Sequence, residues 1–312
     1  MKIVRYDSSY KAIWNNFLDS AKNTHFFFHR DYLEYHSHRF QDFSLLVFNN
    51  RDRLIALLPA NIENNIFYSH QGITFGGFIF SNKIKTPMVM EIFNLLYQYL
   101  KNLGISKLIY KVAPYIYHLL PSEEDRYALF RLDAKLIRRD LSSTINLSKE
   151  IKYSKLRKRV LNRAKRANLE ISLSYDYKQF WNLLTEVLKR EHNTTPVHTL
   201  DEIELLSNRF KENIKLYIVK RDMEILAGVV IYENRDVVHT QYLASGKSGR
   251  DIGALDLLID YLIRVVYRDR RYFDFGISTE REGRYLNRGL VLQKEGFGAR
   301  AVVYDFYEVD IL

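Results

Sequence analysis

The stretch SGKSGRDIGALDLLIDYLIRVVYRDRRYFDFG, Ser245 to Gly276, decides the architecture, because three local patterns follow one another in it without a gap. Glycines at 246, 249 and 253, with the cations Lys247 and Arg250, open it as a loop. Leu255, Leu257, Leu258, Ile259, Leu262, Ile263 and Val266 then surround a narrow polar stripe of Asp256, Asp260, Arg264 and Arg268, spaced four apart. A helix with so broad an apolar surface lies on a sheet and is covered further. Its acids come first and its arginines last, as the helix dipole prefers. Tyr272 to Gly276 closes the stretch as a short strand ending on glycine.

Working outward, the same order stands twice in the chain. Ahead of Ser245, a helix from Tyr177 to Glu191 precedes the strand patterns IKLYIVK, EILAGVVIY and VVHTQYLA. In the first half, helical patterns at Tyr10 to Ala21 and Asp31 to Arg39 precede FSLLVFNN, RLIALLPA and a third strand region entering ITFGGFIF. A helix opened by Thr86-Pro87 and stopped by Gly104 follows, and then the strand ISKLIYKV. Corresponding elements lie far apart, which suits a duplicated domain and not a solenoid repeat. The expected boundary falls near residue 148, giving domains 1–148 and 149–312.

Composition narrows the partners. The chain has 312 residues, 47% of them hydrophobic, enough for two packed cores. Lys and Arg (47) outnumber Asp and Glu (37), so anionic partners are favoured: phosphorylated cofactors, nucleotide-linked substrates, nucleic acid or an acidic membrane surface. With no cysteine, disulfides, thiolate nucleophiles and cysteine zinc sites are excluded. No apolar run reaches the ~18 residues of a spanning helix, and MKIVRYDSSYKAIW lacks a signal-peptide core, so the expected location is the cytoplasm. His25 and His29, and His36 and His38, have ligand-like spacing, but no carboxylate framework matches them and no metal is expected.

Meandering strands, a glycine-bearing loop, a broad-faced helix and a strand together resemble the GNAT superfamily of acyl-CoA transferases. Their doubling resembles the Fem family of peptidyltransferases. The residues that carry the likeness are Phe273-Asp274-Phe275-Gly276, the run Asn287-x-Gly289-Leu290-x₃-Lys294-x₂-Phe297-Gly298, and KLRKRVLNRAKRANLEI from Lys155 to Ile171. Gln293 stands where the Fem pattern often carries phenylalanine, and no long charged helical hairpin interrupts the second half. The resemblance implies an α/β fold, with α+β mixed sheets, made of two tandem GNAT-like domains, the second holding the donor site. It implies transfer of an acyl group from acyl-CoA to an amine on a small polar acceptor, nucleotide- or lipid-linked. Alternatives are a Fem-type reaction, with aminoacyl-tRNA as donor and a cell-wall precursor as acceptor, and a non-catalytic binding module of degenerate domains.

Acyl transfer to an amine needs a held donor, a deprotonated nucleophile and donors for the oxyanion, but no covalent residue. For the donor's phosphates the candidates are Ser245, Gly246, Lys247, Gly249, Arg250, Gly253 and Ala254, between a strand and a helix N-terminus. The same residues also suit an ordinary basic loop. For proton transfer the candidates are His239, Asp274 and Tyr285. Alternation through VVHTQYLA places His239 with Gln241 on one face and Thr240 with Tyr242 on the other. His192, His198, Gln241, Ser278, Glu280, Asn287 and Lys294 are candidates for binding substrate, with Lys294 read as a cationic tip at the pocket. The basic run from Lys152 to Arg166 reads either as a solvated helix face or as an electrostatic guide for a nucleotide-sugar, a lipid diphosphate or tRNA.

Overall fold

The computed structural model describes residues 1–311, with the His192 side chain outside the description. The chain divides into two compact units, one of Met1–Asp140, Glu280–Tyr285 and Val303–Leu312, the other of Leu141–Thr279 and Leu286–Val302.

In the first unit, β1 (Lys2–Arg5), α1 (Lys11–Leu18) and α2 (Arg30–Leu33) lead into β2 (Leu45–Phe48) and β3 (Leu54–Leu58). A tight hairpin of β4 (Asn61–Glu63) and β5 (Ile66–Tyr68) follows, turning on Asn64 and Asn65 at positive φ. Then come β6 (Ile79–Phe80), α3 (Thr86–Asn102), β7 (Lys107–Lys111) and α4 (Glu124–Arg131). β1, β2, β3 and β6 form one sheet, while β5 pairs in parallel with β7 in another. Helix α3 begins as its Pro87 predicts and buries Val89, Ile92, Phe93, Leu96 and Leu100.

Two expectations for this unit are corrected. The helix expected over Asp31 to Arg39 is a single turn. The ITFGGFIF strand shrinks to Ile79–Phe80 because its glycines serve close packing. A Cβ on Gly76 would stand 2.2 Å from the Ser69 carbonyl oxygen, and Gly77, at φ +82°, lies against the Tyr110 phenol.

In the second unit, the Leu141–Thr279 segment takes in the later part of β8 (Lys135–Asn146), followed by α5 (Lys155–Ala164), β9 (Glu170–Ser174), α6 (Tyr177–His192) and α7 (Leu200–Arg209). The meander of β10 (Ile214–Arg221), β11 (Glu224–Glu233) and β12 (Val237–Ser245) comes next. The crossover is α8 (Lys247–Ile252) and α9 (Ala254–Tyr261), leading to β13 (Tyr272–Ile277). The short strands β14 (Thr279–Glu280) and β15 (Tyr285–Leu286), each divided between the two units, precede α10 (Arg288–Glu295) of the second unit, and β16 (Arg300–Asp310) belongs to the first unit from Val303 onward. Strand order is β8-β13-β12-β11-β10-β9, with β12 and β13 parallel and their neighbours antiparallel.

Leu258 and Ile259 of α9, with Leu262 and Ile263 just beyond it, share one core with Val219, Val229, Ile231, Phe273 and Phe275. The single long helix expected here is interrupted: Leu262–Val266 is π-helical, although Asp260 and Arg264 of the polar stripe still pair at 3.0 Å. Among the described residues no helix is long and apolar enough to cross a membrane.

Candidate active site

The parallel pair β12–β13 fixes the site. Its ladder matches only Val237, Val238 and His239 with Tyr272, Phe273 and Asp274. Beyond that point β12 continues to Ser245 and β13 to Ile277 with no further pairing between them. The strands part, and β12 keeps unspent backbone hydrogen-bonding groups on its β13 side. His239 and Asp274 are the last matched residues, at the apex of the opening.

They are also joined. His239 Nδ1 lies 2.8 Å from Asp274 Oδ2, and the Asp274 side chain is completely buried. The other oxygen, Oδ1, accepts hydrogen bonds from Ser142 Oγ at 2.5 Å and Thr144 Oγ1 at 2.7 Å. Both come from β8, where Thr144 is the registered partner of Asp274. A buried carboxylate so supplied stays an acceptor toward His239, so the imidazole carries its proton on Nδ1 and presents a lone pair at Nε2. The glycine at 276 makes room, since a Cβ there would approach His239 Cε1 to 3.1 Å.

A bulge changes which β12 side chains share a face. Tyr232 opposes His239 and Ile231 opposes Thr240, but Val230 opposes Tyr242, which leaves Gln241 as the extra residue. Directly opposed residues lie on one face, so His239 and Tyr242 point the same way and Thr240 points the other. The simple alternation expected for VVHTQYLA is therefore overturned at Gln241.

Tyr242, which the bulge turns to the His239 face, packs on His198. Its hydroxyl accepts the His198 backbone N–H at 3.2 Å and lies 2.6 Å from His198 Nδ1, while Trp181 holds the His198 carbonyl at 3.3 Å. Burial pushes the Tyr242 phenol up to about 12. His198 thus lies buried beneath the meander, anchored just before α7, whose capping box of Thr199 and Glu202 is legible in the sequence.

Lys294 is buried rather than exposed at a tip. Its ammonium donates to the carbonyl oxygens of Gly276 and Ile277, both at 2.9 Å, and to Ser278 Oγ at 2.8 Å, which engages all three protons. Burial lowers its pKa to about 8, against the pull of Asp274. Asn287 caps α10, accepting the Leu290 N–H at 3.1 Å. Glu280 and Tyr285 fall in the first unit, where both are exposed.

The segment read for donor phosphate forms the helix α8 with Gly246 and Gly253 at its ends, and two of its three glycines have close neighbours. A Cβ on Gly249 would stand 2.2 Å from the Leu226 carbonyl oxygen, and one on Gly253, at φ +91°, 2.5 Å from Val160 of α5. Asp256, in the first turn of α9, pairs with Arg157 and sets a carboxylate at the positive end of the helix dipole. Burial nonetheless raises the Asp256 pKa against the opposing guanidinium. Beside it is a cleft of about 500 Å³ whose walls include Arg157, Arg163, Glu191, Ser245, Arg250 and Gln293. Arg250 is held by Glu191 at 3.0 Å. Among the described residues, no group of three or more His, Cys, Asp or Glu is placed to hold a metal ion.

Residues 152–285, which hold the parting strands and the helical crossover, match the family model described as Acetyltransferase (GNAT) domain. The chain carries a GNAT domain within a Fem-like tandem GNAT fold. Among solved structures it is similar to FemX, with a TM-score of 0.71 at 10% identity over 98% of this chain and 97% of that one. The L-PGS structure from Bacillus licheniformis aligns with a TM-score of 0.59 at 12% identity, covering 90% and 91%. A tandem GNAT protein from the clavulanic acid biosynthesis pathway aligns at 0.52 and 8% identity, covering 100% and 98%. No curated protein matches by sequence.

Proposed function

We propose that the protein is an N-acyltransferase whose second unit activates an amine with His239 and holds the phosphate-bearing end of the donor in the cleft beside α8. The observation that carries this reading is the His239–Asp274 pair at the point where β12 and β13 part. The acceptor arrives as an ammonium. His239 Nε2 takes a proton from it, and Asp274 stabilises the imidazolium and fixes the ring. The freed amine attacks the acyl carbonyl, the carbon–nitrogen bond forms, and the tetrahedral oxyanion meets amides of β12 left unpaired by the parting. Collapse expels the donor's leaving group, which recovers a proton from the imidazolium, and the regenerated Nε2 takes the second proton from the new amide nitrogen and passes it to solvent.

Acyl-CoA is the donor proposed, its pyrophosphate bound by Arg157, Arg163 and Arg250. Those guanidiniums suit a phosphate. A second reading, aminoacyl-tRNA as donor, is favoured by the outer face of α5. There Lys155, Lys158, Arg159, Arg163 and Arg166 line a groove of about 660 Å³. The likeness to FemX supports that reading by fold alone.

The test is transfer itself. Purified protein is given acetyl-CoA with a panel of amino sugars, amino acids and peptides, and separately a pool of charged tRNA with the same acceptors. Amide formation that is lost in His239→Gln supports the proposal, and the productive donor chooses between the two readings. No amide from either donor would sink both.

A further inference from the structure

The second unit holds another cleft, of about 770 Å³, between the β9–α6 turn, the end of α7 and the start of β10. It lies at the end of the sheet remote from the donor cleft. β10 and β12 both run antiparallel to β11, so the start of β10 is at the opposite end from Ser245, where β12 meets α8. Nothing in the acyl-transfer scheme uses it.

Its lining is chemically mixed. Tyr175 is 84% exposed at the rim, whereas Tyr177 is buried with its phenol pushed up to about 12 by burial. Glu204, Asn208, Lys211 and Glu212 line the same cleft, and among the described residues none of these four side chains has a hydrogen-bond or ion-pair partner. Lys215, which also reaches it, is already neutralised by Glu233 at 2.8 Å. An exposed phenol ring leaves a flat apolar surface in water, at a cost that a covering ligand removes. Around it stand an amide that both donates and accepts, two carboxylates that accept and an ammonium that donates. Two carboxylates against one unpaired ammonium disfavour a phosphate or nucleotide, and so many polar groups disfavour a purely apolar ligand.

We propose that this cleft is a saccharide-binding site, in which one C–H face of a pyranose lies on Tyr175 and its hydroxyls are read by Asn208, Lys211, Glu204 and Glu212. A sugar matches the lining because each hydroxyl both donates and accepts, and because its ring presents apolar C–H bonds to an aromatic plane. The site is separate from His239 and does not depend on the acyl-transfer reading.

The experiment is saturation-transfer NMR and calorimetric titration of the full chain with chitotriose, maltotriose, ATP and a neutral tripeptide. One of the trisaccharides is expected to bind, with affinity weakened at least about tenfold in Tyr175→Ala and in Asn208→Ala. Both variants lie on the surface and should keep the wild-type melting temperature, and His239→Gln should bind the sugar as well as wild type does. Failure of both trisaccharides to saturate at about 10 mM overturns the site. So does saccharide binding that survives Tyr175→Ala, or ATP or the tripeptide binding there in preference.

Discussion

Lys294 places its ammonium 2.9 Å from the carbonyl oxygen of Gly276, a residue at φ +75° two positions beyond Asp274. Because Nζ also reaches Ile277 O and Ser278 Oγ, one side chain from α10 fixes the exit of the strand that carries the carboxylate. Lys294→Met leaves the Gly276 carbonyl and the Ser278 hydroxyl buried and without this donor. An orphaned buried acceptor costs about 1–3 kcal/mol, so urea unfolding should register a loss in that range. A variant as stable as wild type would mean that the lysine does not hold the turn.

The same burial sets a pH dependence. Lys294 is lowered to about 8 from the ordinary 10.5 in the folded chain, and Lys111, buried in the first unit, to about 7. Above those values the folded protein has released protons that the unfolded chain still holds, so unfolding takes up protons and is opposed as pH rises. Stability therefore increases between the folded pKa and 10.5, by at most about 1.4 kcal/mol per pH unit for each lysine. Denaturation at pH 7.5 and 9.5 for wild type and Lys294→Met isolates one of the two. The wild-type advantage should widen at the higher pH; a constant gap counts against the shift.

Asp274→Asn tests the tautomer argument with little change of shape. The asparagine oxygen still accepts from Ser142 and Thr144, so its amide N–H₂ must face His239 and donate to Nδ1. The imidazole then carries its proton on Nε2 and cannot take one from the acceptor. Amide formation with an ordinary amine should fall by about 10²–10⁴. Hydroxylamine, already unprotonated at pH 7, should be spared most of that loss. Equal loss with both nucleophiles would remove His239 as the base.

Periodicity made the regular elements legible. The apolar surround of the helix after Gly253 and the Thr86-Pro87 start of α3 each led to an observed helix. The capping box at Thr199 was equally available, yet the polar residues before it masked α7. The site was less visible because it depends on spatial partners. His239 and Asp274 stand out as residues, but nothing local gives the Ser142 and Thr144 hydroxyls that orient the carboxylate from a distant strand. Nor does local pattern betray the bulge at Gln241, which rotates Tyr242 onto the face of His239. Nor does the glycine pattern of SGKSGRDIG tell that Gly249 and Gly253 make room for Leu226 and Val160.

The Arg250–Glu191 pair gives the last prediction. Glu191 lines the donor cleft and accepts from Arg250 at 3.0 Å and from Arg190 at 2.9 Å, which holds its carboxylate below the ordinary range. A donor phosphate seeking Arg250 must displace that carboxylate. Glu191→Gln keeps the shape and removes the competing charge, so inorganic pyrophosphate and CoA should bind more tightly. Because the pair is exposed and screened, the gain should be no more than several-fold and should shrink in high salt. Calorimetric titration at low and high salt measures both features. Unchanged or weaker binding in the variant would place the donor's phosphates somewhere other than beside Arg250.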